Sequence, residues 1–287
     1  MSALACRAQP PLALTPAAIG RAATLALHDE LSLSPKPGLV TLIDSGSHDD
    51  MDAHTFMRSL FTLRHYFQDI TQAGLDGARF PELERCGIHA EARMLAATGG
   101  VNTHRGAIFM LGLLCASAGA ALREGRGELC PEALRNALRQ HWGEDLVRRS
   151  HRAPTLPGGI AARRHGLRSA SAEAALAFPT LFDTALPALT AALNRGLTPQ
   201  RARLDALFHT MAVLDDSNLA HRGGLAGLRH AQRTARAFLD RGGAGQPRGL
   251  EEAHTIAADF VARRLSPGGA ADTLAAACWI TRVCGVP

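Results

Sequence analysis

The stretch Gly46–Phe56, GSHDDMDAHTF, gathers His48, Asp49, Asp50, Asp52 and His54 in a chain of which only 20% is charged. Carboxylates and imidazoles at that density suit oxygen ligation of a hard cation, general acid–base chemistry, or a solvated helix start. If a helix begins near Ser47, His48 and Asp52 share a face at i,i+4, as do Asp50 and His54. Asp49 then reads as a solvated N-terminal acid and His54 as a structural or surface histidine. His48, Asp50 and Asp52 remain as the candidates for chemistry.

Four more junctions are as rich in polar residues and glycine: SPKPGLV (34–40), TGGVNTHRGAIF (98–109), LDDSNLAHRGG (214–224) and LSPGGAAD (265–272). The first holds the single lysine of the chain, Lys36, which is expected to do what a guanidinium cannot, and a compact ammonium on a phosphate is the candidate. The second places Asn102, Thr103, His104 and Arg105 just ahead of an apolar helix, where free backbone amides and the helix dipole attract an anion. The last has the same form: Ser266 is expected to cap, Pro267 to open the turn, and Gly268 and Gly269 to admit a ligand to the backbone. With Asn218, His221, Arg222 and Gly223 alongside, the pattern points to a polyphosphate. A triphosphate calls for a divalent cation, and Mg²⁺ takes carboxylate oxygen. Asp50, Asp52 and Asp216 are the expected ligands, and Asp272 is a further candidate. Cys/His spacing for zinc is absent, and Ser217 near His221 lacks the context of a hydrolase triad.

The elements that must position these junctions are helices. Ala, Leu and Arg dominate, with one Tyr and two Trp in 287 residues, and no segment shows sustained period-two alternation. Thr15–Pro16 and Thr198–Pro199 are helix starts. Further helical patterns cover about 52–73, 81–97, 104–123, 131–149, 161–177, 180–195, 222–240, 249–264 and 269–283, with loops at 154–159 and 241–248. The expected fold is all-α, a single bundle-like domain over 1–287 of roughly ten helices, with the active site in the helix-junction loops and 1–14 as a flexible arm. Gly106–Leu122 is uncharged, but it is short for a membrane span and reads better as a buried central helix.

The net charge of +5 is scattered rather than clustered, so a nucleic-acid partner is not expected and an anionic small substrate is. Six cysteines without C-x-x-C, and no signal-peptide pattern, favour a reduced, cytoplasmic protein with no membrane association. The apolar C-terminal run TLAAACWITRV could pack internally or in a homodimer.

Taken in order, the five junctions resemble those of the triphosphoribosyl-dephospho-CoA synthase family, which carries the runs Ser-Pro-Lys-Pro-Gly-Leu-Val, Gly-x-His-x-Asp-Met-Asp, Gly-Val-Asn-Thr-His-(Lys/Arg)-Gly-Ala-Ile-Phe, Asn-x-x-His-Arg-Gly-Gly and Leu-Ser-Pro-Gly-Gly-x-Ala-Asp. The likeness spans Ser34 to the C-terminus, and PGLVTLIDSGSHDDMD resembles the branch serving malonate decarboxylase rather than citrate lyase. Many relatives carry Gly-Ala-Arg-Gly-Glu where this chain has SASAE (169–173), so Glu173 is kept and the arginine is not. The resemblance implies an all-α enzyme that uses ATP and 3′-dephospho-CoA to make 2′-(5″-triphosphoribosyl)-3′-dephospho-CoA and adenine. The product would be the prosthetic-group precursor of an acyl-carrier subunit. On that reading Asp50 and Asp52, with Asp216, hold Mg²⁺ or steady a cationic sugar, and His48 or His104 moves a proton. Lys36, Asn102, Thr103, Arg105, Asn218, His221, Arg222, Gly223, Ser266, Gly268 and Gly269 surround the substrates. The rival readings are an Mg²⁺-dependent N-glycoside hydrolase like the ADP-ribosyl hydrolases and a non-catalytic nucleotide- or CoA-binding partner.

Overall fold

The computed structural model describes residues 14–125 and 128–286, and the arm expected over 1–14 lies almost wholly outside them. Twelve α-helices account for most of the described residues, and among these there is no strand. They are α1 (Pro16–Ser32), α2 (Ala53–Leu75), α3 (Phe80–Thr98), α4 (Arg105–Arg123), α5 (Pro131–Ser150), α6 (Pro157–His165), α7 (Ala170–Ala175), α8 (Leu186–Asn194), α9 (Pro199–Val213), α10 (Ser217–Asp240), α11 (Gly249–Ala262) and α12 (Gly268–Cys284). A π-helical turn, Leu181–Ala185, leads into α8.

Local chemistry sets the starts. Thr15 Oγ1 accepts from the Ala18 amide at 3.2 Å and Thr198 Oγ1 from that of Arg201 at 3.4 Å, each with proline in the first turn, as the sequence indicates. Three boundaries differ from expectation. The helix expected over 161–177 is two helices, because Gly166 ends α6 with φ +64 and Ser169 caps α7 anew. Helix α6 also begins at Pro157, inside the expected loop. The helix expected at 222–240 begins at Ser217 and breaks at Gly224, whose φ of 62 and ψ of −167 are open to glycine alone.

Helix α4 is the centre, packed on α2, α3, α5 and α12. It is long and apolar enough to pass as a membrane span by length and composition, yet Leu111, Leu114, Cys115 and Ala118 are fully enclosed by neighbouring helices. Each buried leucine contributes about 1.5–3 kcal/mol. Its small residues bring α2 unusually near: a side chain at Gly119 would strike the Thr71 carbonyl, and one at Gly74 that of Ala116. Helix α12 buries Trp279 and Ile280 against the same domain, on α1, α4 and α9. This close core leaves the polar junctions at the helix ends, where they meet.

Candidate active site

The stretch 46–52 is not helical. Asp52 is the N-cap of α2, its Oδ1 accepting from the Thr55 amide at 2.8 Å and the Thr55 hydroxyl at 2.7 Å. These bonds hold its carboxyl below the usual carboxylate range, although it stands in solvent. The i,i+4 face expected for His48 with Asp52 therefore does not exist. Asp49 pairs in the open with Arg264 at 2.9 Å, and Asp50 is exposed, 3.7 Å from His48 Nδ1. The His48 ring turns inward instead, with Nε2 2.9 Å from Ser266 Oγ and a buried Nδ1 that has no hydrogen-bond partner. Burial, then the charge of Arg222, outweigh Asp50 and lower its pKa below 6.5, so the imidazole is neutral at pH 7.

Backbone clamps bind this stretch to three other junctions. Ser47 Oγ donates to the Leu265 carbonyl at 2.6 Å and its amide to Gly38 at 3.1 Å. The Arg222 guanidinium spans the Ser47 carbonyl at 2.5 Å and that of Arg264 at 2.9 Å. Gly38, at φ +64, lies so close to the Leu265 carbonyl that no side chain fits, whereas Gly223 meets only the end of the Leu265 side chain, which can shift. Arg222 and His221 are exposed above this clamp.

The junction before α4 is more enclosed. His104 is buried, with Nδ1 2.6 Å from Ser59 Oγ, and Ser59 Oγ accepts from the Thr103 hydroxyl at 2.7 Å. Its Nε2 has no partner. Burial, and then the charge of Lys36, push its pKa down to about 3. Asn102 Oδ1 accepts from the Arg105 amide at 3.1 Å, and Arg105 Nε donates to Glu91 at 2.6 Å, so both residues serve the helix start and its contact with α3. Lys36, only 3% exposed, gives Nζ to Glu30 Oε1 at 2.6 Å and to the Glu30 carbonyl at 2.7 Å. Burial exceeds the pull of Glu30 and keeps the ammonium below its usual pKa.

The helix-start amides expected to take phosphate are already taken by carboxyls of the chain. Asp216, the N-cap of α10, accepts from Asn218 at 2.9 Å and Leu219 at 3.2 Å on Oδ1, and from Ala270 of α12 at 3.0 Å on Oδ2. Gly269 adds a fourth amide, and burial nevertheless pushes its pKa up to about 6. Gly268 and Gly269 make room for Asn218 and Asp216, since an added carbon would stand 2.6 Å from Asn218 Nδ2 and 3.1 Å from Asp216 Oδ2. Ser266 bonds to His48 and does not cap α12. Asp216 thus spends its oxygens on the amides of two helices, which leaves little room for the cation expected there from sequence. Asp272, one turn into α12, accepts from Ala107 in the first turn of α4. Burial, then Glu30 and Asp216, raise its pKa well above the carboxylate range.

A cleft of about 60 Å³ opens between α4, the 168–181 segment and the starts of α10 and α12. At its mouth Arg168 Nη1 donates to buried Glu173 at 2.8 Å, so an arginine stands beside Glu173 one position before the SASAE segment. Sequence reasoning missed Glu30, Ser59 and Arg168. The first two carried a signal: each is a polar residue on the inward, apolar stripe of its helix, beside Leu27 and Leu31 in α1 and Leu63 in α2. Among the described residues no group of three or more His, Cys, Asp or Glu forms a metal cage. Exposed Asp50 and Oδ2 of Asp52 suit a cation that brings most of its ligands with it.

The profile of the ATP:dephospho-CoA triphosphoribosyl transferase family matches residues 16–285. The chain is 37% identical to a protein of Acinetobacter calcoaceticus named probable 2-(5″-triphosphoribosyl)-3′-dephosphocoenzyme-A synthase, over 91% of this chain and 89% of that protein. Proteins with the same name from Vibrio cholerae serotype O1 and Photobacterium profundum are 38% and 36% identical, over 91% and 86% of this chain and 86% and 81% of theirs. No solved structure matches. Four polar junctions clamped to one another, a fifth reached through Asp272 and the Ala107 amide, and a profile match along almost the whole chain accord with one another, and the match places the chain in the ATP:dephospho-CoA triphosphoribosyl transferase family of enzymes.

Proposed function

We propose that the protein transfers the triphosphoribosyl group of ATP to the 2′-hydroxyl of 3′-dephospho-CoA and releases adenine. One observation carries this reading. Junctions far apart in sequence meet at Ser47, Leu265 and Arg222, and they bring a neutral imidazole and an arginine together at the helix ends. Such a transfer passes through a cationic sugar, so it needs a base for the hydroxyl and an acid for the leaving nitrogen.

His48 is suited to be the base. If Nε2–H is donated to Ser266, the Nδ1 lone pair is unpaired; it is buried in the free protein, so the role of base requires substrate entry to uncover it. His104 is too enclosed for that task and supports the α4 junction through Ser59. Exposed His221 and the outer face of Arg222 provide hydrogen-bonding and positive groups for phosphate, while Lys36 is neutralised by Glu30 and offers no free charge. Mg²⁺ would enter with the triphosphate and neutralise its charge, and Asp50 and Asp52 Oδ2 would be its contacts on the protein. The run PGLVTLIDSGSHDDMD supports service to the malonate decarboxylase branch, with the product passed on for attachment to its acyl-carrier subunit.

Incubation of the protein with ATP, Mg²⁺ and 3′-dephospho-CoA should release adenine and yield one triphosphoribosylated CoA product per adenine. Adenine released without dephospho-CoA would reveal a hydrolase, and no adenine at all would reveal a binding protein. For the branch, the product should load the carrier subunit of a malonate decarboxylase; loading of a citrate lyase carrier alone would overturn it.

A further inference from the structure

The cleft beside α7 differs from the phosphate side in chemistry. Phe109, Met110 and Leu214 give it apolar walls that suit a flat aromatic base, and carboxyls stand at its rim and floor. Of the four, Asp215 accepts the Arg168 amide on Oδ2 at 3.0 Å, and two others are saturated by the protein. Glu173 accepts from Arg168 at 2.8 Å and from the Thr180 hydroxyl at 2.9 Å, and Asp216 accepts backbone amides on both oxygens. Asp272 accepts one amide, that of Ala107, and part of its surface faces the cleft. Gly106 lies directly against its Oδ2, where any side chain would displace it.

We propose that Asp272 is the proton donor to the departing base and that the adenine ring of ATP docks at the mouth of the cleft above it, with one edge inside. The inference rests on the transferase reading above and adds a catalytic residue to it. The C1″–N bond breaks with its electron pair passing to adenine, and a ring nitrogen of adenine takes the Asp272 proton. The C1″–O bond forms from the 2′-hydroxyl of dephospho-CoA, whose proton passes to His48. Asp272 regains a proton from solvent, and His48 loses one, once the products leave. Burial above all keeps Asp272 protonated beforehand, and the carboxyls that face it, Glu30 from α1 and then Asp216 before α10, further disfavour its charge. The Ala107 amide of α4 opposes them, Lys36 is engaged with Glu30, and Arg168 with Glu173 at the mouth.

The test compares the wild type with Asp272→Asn, which keeps an acceptor for Ala107 but has no acidic proton. Release of adenine from ATP should fall about 10²–10⁴-fold. Release of nicotinamide from nicotinamide riboside 5′-triphosphate, which leaves neutral without a proton, should fall less than about 10-fold, as expected when only the acid is lost. The wild-type rate should also decline on the alkaline side of its pH profile, and the residual rate of the variant should be flat there. Equal losses with both leaving groups, or an unchanged alkaline limb if the analogue is not turned over, would overturn the proposal and make Asp272 an anchor of α4. Should Asp272→Asn fold poorly by circular dichroism, Asp272→Ser is judged by the same two readouts. Wild-type protein that releases no adenine would instead defeat the transferase reading.

Discussion

Lowering the pH from about 7.5 to about 4.5 should destabilise the fold by roughly 2.6 kcal/mol through His104 alone. In the unfolded chain its imidazole titrates at the ordinary value of 6.5, whereas burial and Lys36 push it down to about 3 in the fold. The folded pKa is the lower one, so the contribution is fully present above 6.5 and is lost as the pH falls toward the folded value. At about pH 4.5 the unfolded histidine is almost wholly protonated and the folded one almost wholly neutral. Linkage then gives about 2.7 kcal/mol, against less than about 0.1 at pH 7.5. A folded pKa one unit higher would change the result by only about 0.1 kcal/mol, because pH 4.5 would still lie above it.

The assay is urea unfolding followed by circular dichroism across this pH range, for the wild type and for His104→Gln. The variant loses stability at neutral pH, by about 1–3 kcal/mol, because it disturbs the bond to Ser59. The informative quantity is the difference in slope. Below pH 6 the wild type should lose about 1.4 kcal/mol per pH unit more than the variant. Other perturbed groups, such as Asp216 and His48, titrate in both proteins and cancel. Parallel lines for the two proteins would refute the description of His104 as a buried neutral imidazole.

Two further outcomes follow from close packing and buried charge. Gly106→Ala should reduce adenine release by at least about 100-fold while the thermal midpoint falls by only a few degrees, since the new methyl displaces Asp272 at the cleft; an unchanged rate would refute the packing. Lys36→Met leaves Glu30 buried without its partner and should destabilise by about 3–5 kcal/mol, while Lys36→Met with Glu30→Gln should recover more than half of that in urea melts. Additive losses would show that the pair is not coupled.

Much of the scaffold was legible because its signals are local. The caps at Thr15 and Thr198 and the uncharged run of α4 each lie within a few turns of helix. The start of α2 misled because both Ser47 and Asp52 are competent caps, and Ser47 is drawn away by the Leu265 carbonyl, more than two hundred residues distant. The junctions could be recognised as a set, but not which atoms satisfy which. Lys36 reads as a phosphate ligand until Glu30 is seen on the inner stripe of α1, and the amides of α12 read as an anion site until Asp216 is seen to fill it. Tertiary contacts decide these pairings, and a cap residue cannot announce its second helix.

Asp216 and Asp272 show why two buried carboxyls at helix starts come to opposite states. Burial disfavours charge on both, but the amides are unequally shared. Asp216 takes amides from two helices, which hold its pKa at about 6, so it is largely anionic at pH 7. Its charge lies among the pressures, with Glu30, that keep Asp272 protonated, and Asp272 has only the Ala107 amide to oppose them. The anion that ties α10 to α12 thereby helps set the proton on its neighbour, and separating two carboxyl pKa values in this way is how one site provides both a fixed charge and an acid. Moving one amide bond from Asp216 to Asp272 would erode both functions together. The glycines of the fifth junction, which let Asp216 and Asn218 approach the start of α12, are therefore part of the electrostatics as well as of the packing.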